Sequence, residues 1–202
     1  MTAVAALVLA GGGARRFGGD KLGAPLHGRP VLDHLLIGLP AQWQVVCVGP
    51  RRATPRPVRW VREEPPGGGP VAAIAAGAAV VEAGVEMVIV LAGDMPEGGA
   101  LAGLLVASAE HSDGRPGSGE PAAAWVAVGS DGRPNPLAAC FRRSVLSSQL
   151  PRDPDGVAAR RLLSGLAVEH VSVADELLAD IDTPADMQRH SARAPGPKQP
   201  DG

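Results

Sequence analysis

The chain has 202 residues, 45% of them apolar but only 2% aromatic, so it can close one core built from Val, Leu, Ala and Ile rather than from rings. Its 19 basic and 21 acidic residues give a formal charge of -2, which excludes the global basic field of a nucleic-acid or membrane-surface binder. The opening MTAVAALVLAGGG has no charged leader, and its apolar part is too short to span a bilayer, so the chain reads as cytoplasmic.

Val4–Leu9 is an apolar run ended by glycines and predicts a strand. Pro30–Leu39 carries apolar residues at 31, 32, 35, 36 and 39, helical spacing opened by a proline. Gln44–Val48 and Val58–Val61 read as strands, Pro70–Ala83 as a buried helix, Met87–Leu91 as a strand buried on both faces, and Ala100–Ala109 as a helix. His111–Pro121 has loop composition throughout. Ala122–Val128 and Leu137–Cys140 read as strands around a turn at Gly129–Pro136, followed by short helical pieces at Val145–Leu150 and Val157–Leu163. Val168–Val173 alternates like a strand, a further strand end is expected near Leu178, and Pro184–His190 predicts a short helix. The expected organisation is one domain over residues 1–190 and a disordered tail over 191–202. Cys47 and Cys140 lie far apart inside apolar runs and read as small buried hydrophobes.

Strands alternating with helices predict an α/β fold: a Rossmann-like three-layer α/β/α arrangement around a mostly parallel sheet. Ligands of such sheets collect beyond the carboxyl ends of the strands, which here means just after Leu9, Val61, Leu91 and Leu178. After Leu9 comes LAGGGARRFGGDK, with five glycines, two arginines and a lysine in thirteen residues. Bare glycine amides can converge on an anion, and Arg16 and Lys21 can add full charges to it. The spacing fits neither GxGxxG, because Arg16 stands where the third glycine is needed, nor the Walker A loop, because no Gly-Lys-Ser/Thr is present.

The stretch Leu9-Ala10-Gly11-Gly12-Gly13-Ala14-Arg15-Arg16-Phe17-Gly18-Gly19-Asp20-Lys21 resembles the signature of MobA-like nucleotidyltransferases, with Phe17 where methionine is usual. Three more places match in order. VREEPPGGGPVAAI resembles the family's acidic residue followed by Gly-Pro-Leu-Ala-Gly-Ile, with Glu64 at the acidic position, Glu63 beside it, and Gly69 as the bare backbone that lets a base or ribose lie close. VIVLAGDMP resembles its Asp-x-Pro, which places Asp94, and LLADIDTPADM resembles its closing Asp-x-Asp-Thr-Pro, which places Asp182. Asp182 or Thr183 also reads as a cap for the helix starting at Pro184, while Asp180 and Asp182 alternate outward and need not share a job.

The resemblance implies a Mg²⁺-dependent transfer of a nucleoside monophosphate, most simply GMP from GTP, onto the phosphate of molybdopterin with release of pyrophosphate. It implies that Leu9, Ala10, Gly11, Gly12, Gly13, Lys21, Glu64, Gly69 and Asp94 bind nucleotide, and that Arg16, Lys21, Asp94 and Asp182 are catalytic. Asp94 and Asp182 are then the metal carboxylates, and Asn135, Arg160 and Arg161 lie on the acceptor side. The partners implied are GTP or CTP and a phosphorylated pterin. The Asp180-Ile181-Asp182 pattern leans towards the cytidylyltransferase branch of the family, and Leu-Ala-Gly-Gly towards the guanylyltransferases. A nucleotide-binding regulator without turnover is the alternative outside enzymes.

Overall fold

Runs of apolar residues with no polar alternation need cover on both faces, and these strands receive it. A computed structural model describes residues 2–12, 17–113 and 121–192. Its strands are β1 (Val4–Leu9), β2 (Pro25–Leu26), β3 (Arg29–Pro30), β4 (Gln44–Val48), β5 (Arg59–Val61), β6 (Met87–Ala92), β7 (Ala124–Val128), β8 (Pro134–Arg142) and β9 (Val168–Ser172). Its helices are α1 (Val31–Gly38), α2 (Gly69–Ala78), α3 (Gly98–Asp113), α4 (Arg143–Gln149), α5 (Asp175–Leu178) and α6 (Pro184–Ser191), with a 3-10 turn at Ala159–Leu163.

Seven strands form one sheet in the order β5-β4-β1-β6-β8-β7-β9, and β2 pairs with β3 in a small separate hairpin. In the large sheet only β8 runs against its neighbours, pairing antiparallel with β6 and β7. The expected α/β architecture with a mostly parallel sheet is therefore the observed one.

Successive residues of each central strand serve different layers. Ala6 and Val8 of β1, with Ile89 and Leu91 of β6, pack beneath α1 and α3. Ala5 and Leu7, with Val88 and Val90, pack against α2 and α4 on the other face. Trp125 and Phe141, fully buried on β7 and β8, occupy opposite faces and supply much of the ring volume this ring-poor chain has. Cys47 and Cys140 are both free and buried, and burial pushes each thiol up to about 12. Neither is expected to react with a thiol-disulfide reagent at about pH 8 in the native protein, whereas both should titrate in guanidinium; rapid native labelling would contradict this packing.

Several boundaries differ from the sequence expectation, each for a local reason. Helix α2 stops at Ala78 because the next turn tightens: the amide of Val80 donates to the Gly77 carbonyl and that of Val81 to the Ala78 carbonyl. Helix α3 runs past Ala109 into the stretch expected to be loop. Its last turn is tied to the sheet, since Trp125 Nε1 donates to Glu169 at 3.1 Å and Ser112 Oγ bonds the same carboxylate. The expected strand end near Leu178 is not there; that stretch is the short helix α5 followed by irregular backbone. Residues 114–120 and 193–202 lie outside the described residues, including most of the loop and tail expected there. No helix among the described residues is long and apolar enough to cross a membrane.

Candidate active site

The parallel strands end together, and the segments that leave them meet at one edge. The Ala10 amide donates to the Val48 carbonyl at 2.8 Å, Gly49 to Val61 at 2.9 Å and Gly93 to Leu9 at 3.0 Å. These bonds extend the ladder one residue beyond β1, β4 and β6, so Gly11, Gly49 and Asp94 emerge side by side. Strand β8 begins at the same edge, because its antiparallel register sets Ala138 opposite Leu91 and carries Asn135 beyond it. Leu9, half-buried, ends the first strand, Ala10 beyond it is buried, and Gly11 and Gly12 are exposed, with Gly12 at φ +104. Gly13 and Arg16 lie outside the described residues.

Asp94 and Asp182 are 88 positions apart in sequence, and a buried residue joins them. Ile181 is fully buried with Leu26 and Val31, so β2 and the first residue of α1 form its socket. Its amide donates to the Asp94 carbonyl at 3.0 Å. With the Ile181 side chain fixed inward, both flanking aspartates are held at the Asp94 carboxylate. Asp94, Asp180 and Asp182 each offer an oxygen to one cluster, within 4.8 Å of one another. Residues two apart in extended backbone point to the same side, so with the Ile181 side chain buried in its socket Asp180 and Asp182 are both turned to the Asp94 carboxylate.

The cap expected at this helix exists as well. Thr183 Oγ1 accepts from the Asp186 amide at 3.2 Å, and the Asp186 carboxylate accepts from the amides of Thr183 at 2.7 Å and Asp182 at 3.1 Å. The reciprocal pair is a capping box, and Pro184 fills the first turn. Capping is thus carried by Thr183 and Asp186, which leaves the Asp182 side chain to the cluster.

Lys21 supplies the opposing charge. Its ammonium donates to Asp94 Oδ2 and, at 2.8 Å, to Asp182 Oδ1. Burial alone would lower the Lys21 pKa, but Asp182 and Asp94 outweigh it and raise it, so the side chain is an ammonium at neutral pH. Asp180 moves up from the usual carboxylate range, first through crowding by protein atoms and then through the charges of Asp94 and Asp182. Asp94 Oδ1 is buried with no hydrogen-bond partner among the described residues. Among the described residues, three converging carboxylates with a buried unpartnered oxygen form a hard-oxygen set that fits a divalent cation such as Mg²⁺.

The remaining predicted residues divide. Gly69 starts α2 at φ +89, and a Cβ built there meets nothing within 4 Å, so its face is open. Glu64 is exposed, whereas the adjacent Glu63 accepts from the Gly67 amide at 3.0 Å and shapes the turn before α2. Asn135 Oδ1 accepts from the Leu137 amide at 2.9 Å, which occupies it locally while leaving it at the site's edge. Arg160 and Arg161 are exposed on the 3-10 turn, whose Ala159 and Leu162 are buried. Sequence reasoning missed two features. One is the convergence of Asp180. The other is the pairing of Asp20 with Arg52, at 2.9 Å and 3.0 Å, which ties the loop before Lys21 to the segment after β4. A cavity of about 420 Å³ beside Glu86, Arg142 and Ser147 lies at the opposite end of β6 and includes none of these residues.

Residues 6–173 match the MobA-like NTP transferase domain. The chain belongs to the MobA-like NTP transferase family. Curated relatives from Mycobacterium tuberculosis and Mycobacterium bovis, named probable molybdenum cofactor guanylyltransferases, are 39% identical over 99 residues. That match covers 46% of this chain and 49% of the relative, so it spans about half of the length of each. The transferase superposes on molybdopterin-guanine dinucleotide biosynthesis protein A of Archaeoglobus fulgidus with a TM-score of 0.67 and 21% identity, over 93% of this chain and 96% of that one. A Mycobacterium tuberculosis H37Rv structure, Rv0371C in complex with manganese, superposes with a TM-score of 0.67 and 18% identity, over 95% and 99%. At these identities the likeness is one of fold.

Proposed function

We propose that this transferase moves a nucleoside monophosphate, GMP from GTP, onto the phosphate of a molybdopterin acceptor, releasing pyrophosphate in a Mg²⁺-dependent reaction. The observation that carries this reading is the Lys21 ammonium set against Asp94 and Asp182 at the strand edge where the glycine loop emerges. Support for the pterin acceptor comes from the names of the mycobacterial relatives, and for a divalent cation from the manganese complex together with the three converging carboxylates.

In this reading an oxygen of the acceptor phosphate attacks the α-phosphorus of the triphosphate, and the bond to the bridging oxygen of the β-phosphate breaks. Such a transfer needs alignment and charge neutralisation rather than a covalent enzyme nucleophile. The amides from Leu9 to Gly13 and the Arg16 guanidinium bind the departing phosphates. Lys21 neutralises charge growing on the α-phosphoryl oxygens. Asp94 and Asp182 hold the metal, with Asp180 beside them, and bound there it supplies Lewis-acid neutralisation of phosphate charge. Glu64, with Gly69 offering bare backbone, faces the base, and Asn135, Arg160 and Arg161 receive the acceptor.

The Asp180-Ile181-Asp182 pattern supports CTP as the second reading. Calorimetric titration with GTP, CTP, ATP and UTP, each with and without Mg²⁺, followed by a pyrophosphate-release assay with molybdopterin, tests both. Mg²⁺-dependent GTP binding and pyrophosphate release are expected. A CTP preference moves the protein to cytidylyl transfer, and binding without release in the presence of either nucleotide and the acceptor leaves a regulator.

A further inference from the structure

The Lys21 ammonium sits on carboxylates of the cluster that fits a divalent cation. The Lys21 ammonium bonds Asp94 Oδ2 and Asp182 Oδ1, and these carboxylates belong to the same cluster that would ligate a metal. Among the described residues the Lys21 ammonium stands at a cluster of three carboxylates, and Asp94 Oδ1 is buried there without a partner. The main chain around Lys21 is fixed: Arg52 holds Asp20, the Gly23 amide donates to Asp20 at 3.3 Å, and the Lys21 carbonyl accepts from the Ala24 amide at 3.3 Å. The lysine side chain beyond it is a flexible four-carbon stem that can swing without moving the loop. The exposed amides of Gly11 and Gly12 stand at the same strand edge.

We infer that Lys21 is a resident stand-in for the divalent cation, occupying its oxygens until an anion at the glycine loop draws the ammonium away. The metal and the anion therefore assist one another through a single side chain, because each binds the state in which Lys21 has left Asp94 and Asp182. This rests on the nucleotidyltransferase reading for the identity of the anion, whereas the competition between Lys21 and the metal for these carboxylates involves only this chain and a metal.

The test is Mn²⁺ binding to nucleotide-free protein, measured by electron paramagnetic resonance. Lys21→Met is expected to bind Mn²⁺ about tenfold or more tighter than wild type, as removal of a cation in contact with the ligands requires. Adding Asp94→Asn to Lys21→Met should abolish the gain, which locates it at this cluster. Lys21→Arg keeps a cation between the carboxylates and should bind no tighter than wild type. Thermal melts monitor folding, and Mn²⁺ should raise the midpoint of Lys21→Met more than that of wild type. Unchanged or weaker Mn²⁺ binding in folded Lys21→Met overturns the inference. So does tight binding in Lys21→Arg, or an equal gain in Arg52→Gln, which removes a cation that pairs with the adjacent Asp20. No turnover is read in these measurements. Absence of pyrophosphate release alongside the expected Mn²⁺ pattern would remove the proposed function and leave the exchange standing.

Discussion

Asp94→Asn is expected to lower Mg²⁺-dependent pyrophosphate release by at least about 100-fold, or about 2.7 kcal/mol of transition-state stabilisation, with the fold intact. The substitution keeps the shape of the side chain and removes one charge from three carboxylates whose ligand atoms lie within 4.8 Å. It also replaces a carboxylate oxygen that is buried without a partner among the described residues. Losing that charge relieves repulsion on Asp180, so the thermal midpoint should stay within about 3 °C of wild type. Steady-state kinetics beside a thermal melt separate the two effects. Near wild-type turnover in a folded variant would remove Asp94 from the chemistry.

Gly49→Ala should damage the site from behind. Gly49 follows β4 with φ +145, a backbone conformation that residues with a side chain rarely adopt. A Cβ placed there lies 2.6 Å from the carbonyl carbon and oxygen of Ala10 and from the Gly11 nitrogen. All three are main-chain atoms, so no rotamer change relieves the overlap and the start of the glycine loop must move. The expected cost is on the order of 3 kcal/mol, from backbone strain and overpacking together. Nucleotide affinity should fall in the same variant, because the displaced amides are those proposed to bind phosphate. Urea unfolding reads the first effect and calorimetry the second. A stability change below about 0.5 kcal/mol, the range of ordinary surface substitutions, would show that the two loops are not locked together there.

The central sheet was legible because its signal is local. VAALVL, QVVCV and MVIVLA are short apolar runs ended by glycine or turn residues, and strands covered on both faces carry no other pattern. Strand β8 was legible only at its middle. Its first residues, Pro134-Asn135-Pro136, have loop composition, and the shift in register between Val126 and Val128 lets a proline enter the ladder there. The two-residue strands β2 and β3 are too short for any period to show.

The site was legible as separate carboxylates and not as a cluster. Lys21, Asp94 and Asp182 could each be placed by motif and by the strand-edge rule. The convergence of Asp180 depends on which way Ile181 faces, and that is set by a socket formed by Leu26 and Val31, more than a hundred residues away in sequence. The ion pair of Asp20 with Arg52 has the same character: nothing near either residue announces the other.

The socket for Ile181 also separates two events in the life of the chain. All seven strands of the large sheet end by Ser172, whereas two of the three clustered carboxylates lie after that point. A ribosome that has released residues up to Ser172 has supplied every strand the sheet needs, yet Lys21 and Asp94 still face each other without their third and fourth charged neighbours. The segment after Ser172 adds no strand; it brings Asp180 and Asp182 by seating Val173, Leu177, Leu178 and Ile181. The strands of the sheet and two of the three clustered carboxylates are thus supplied by consecutive parts of the chain.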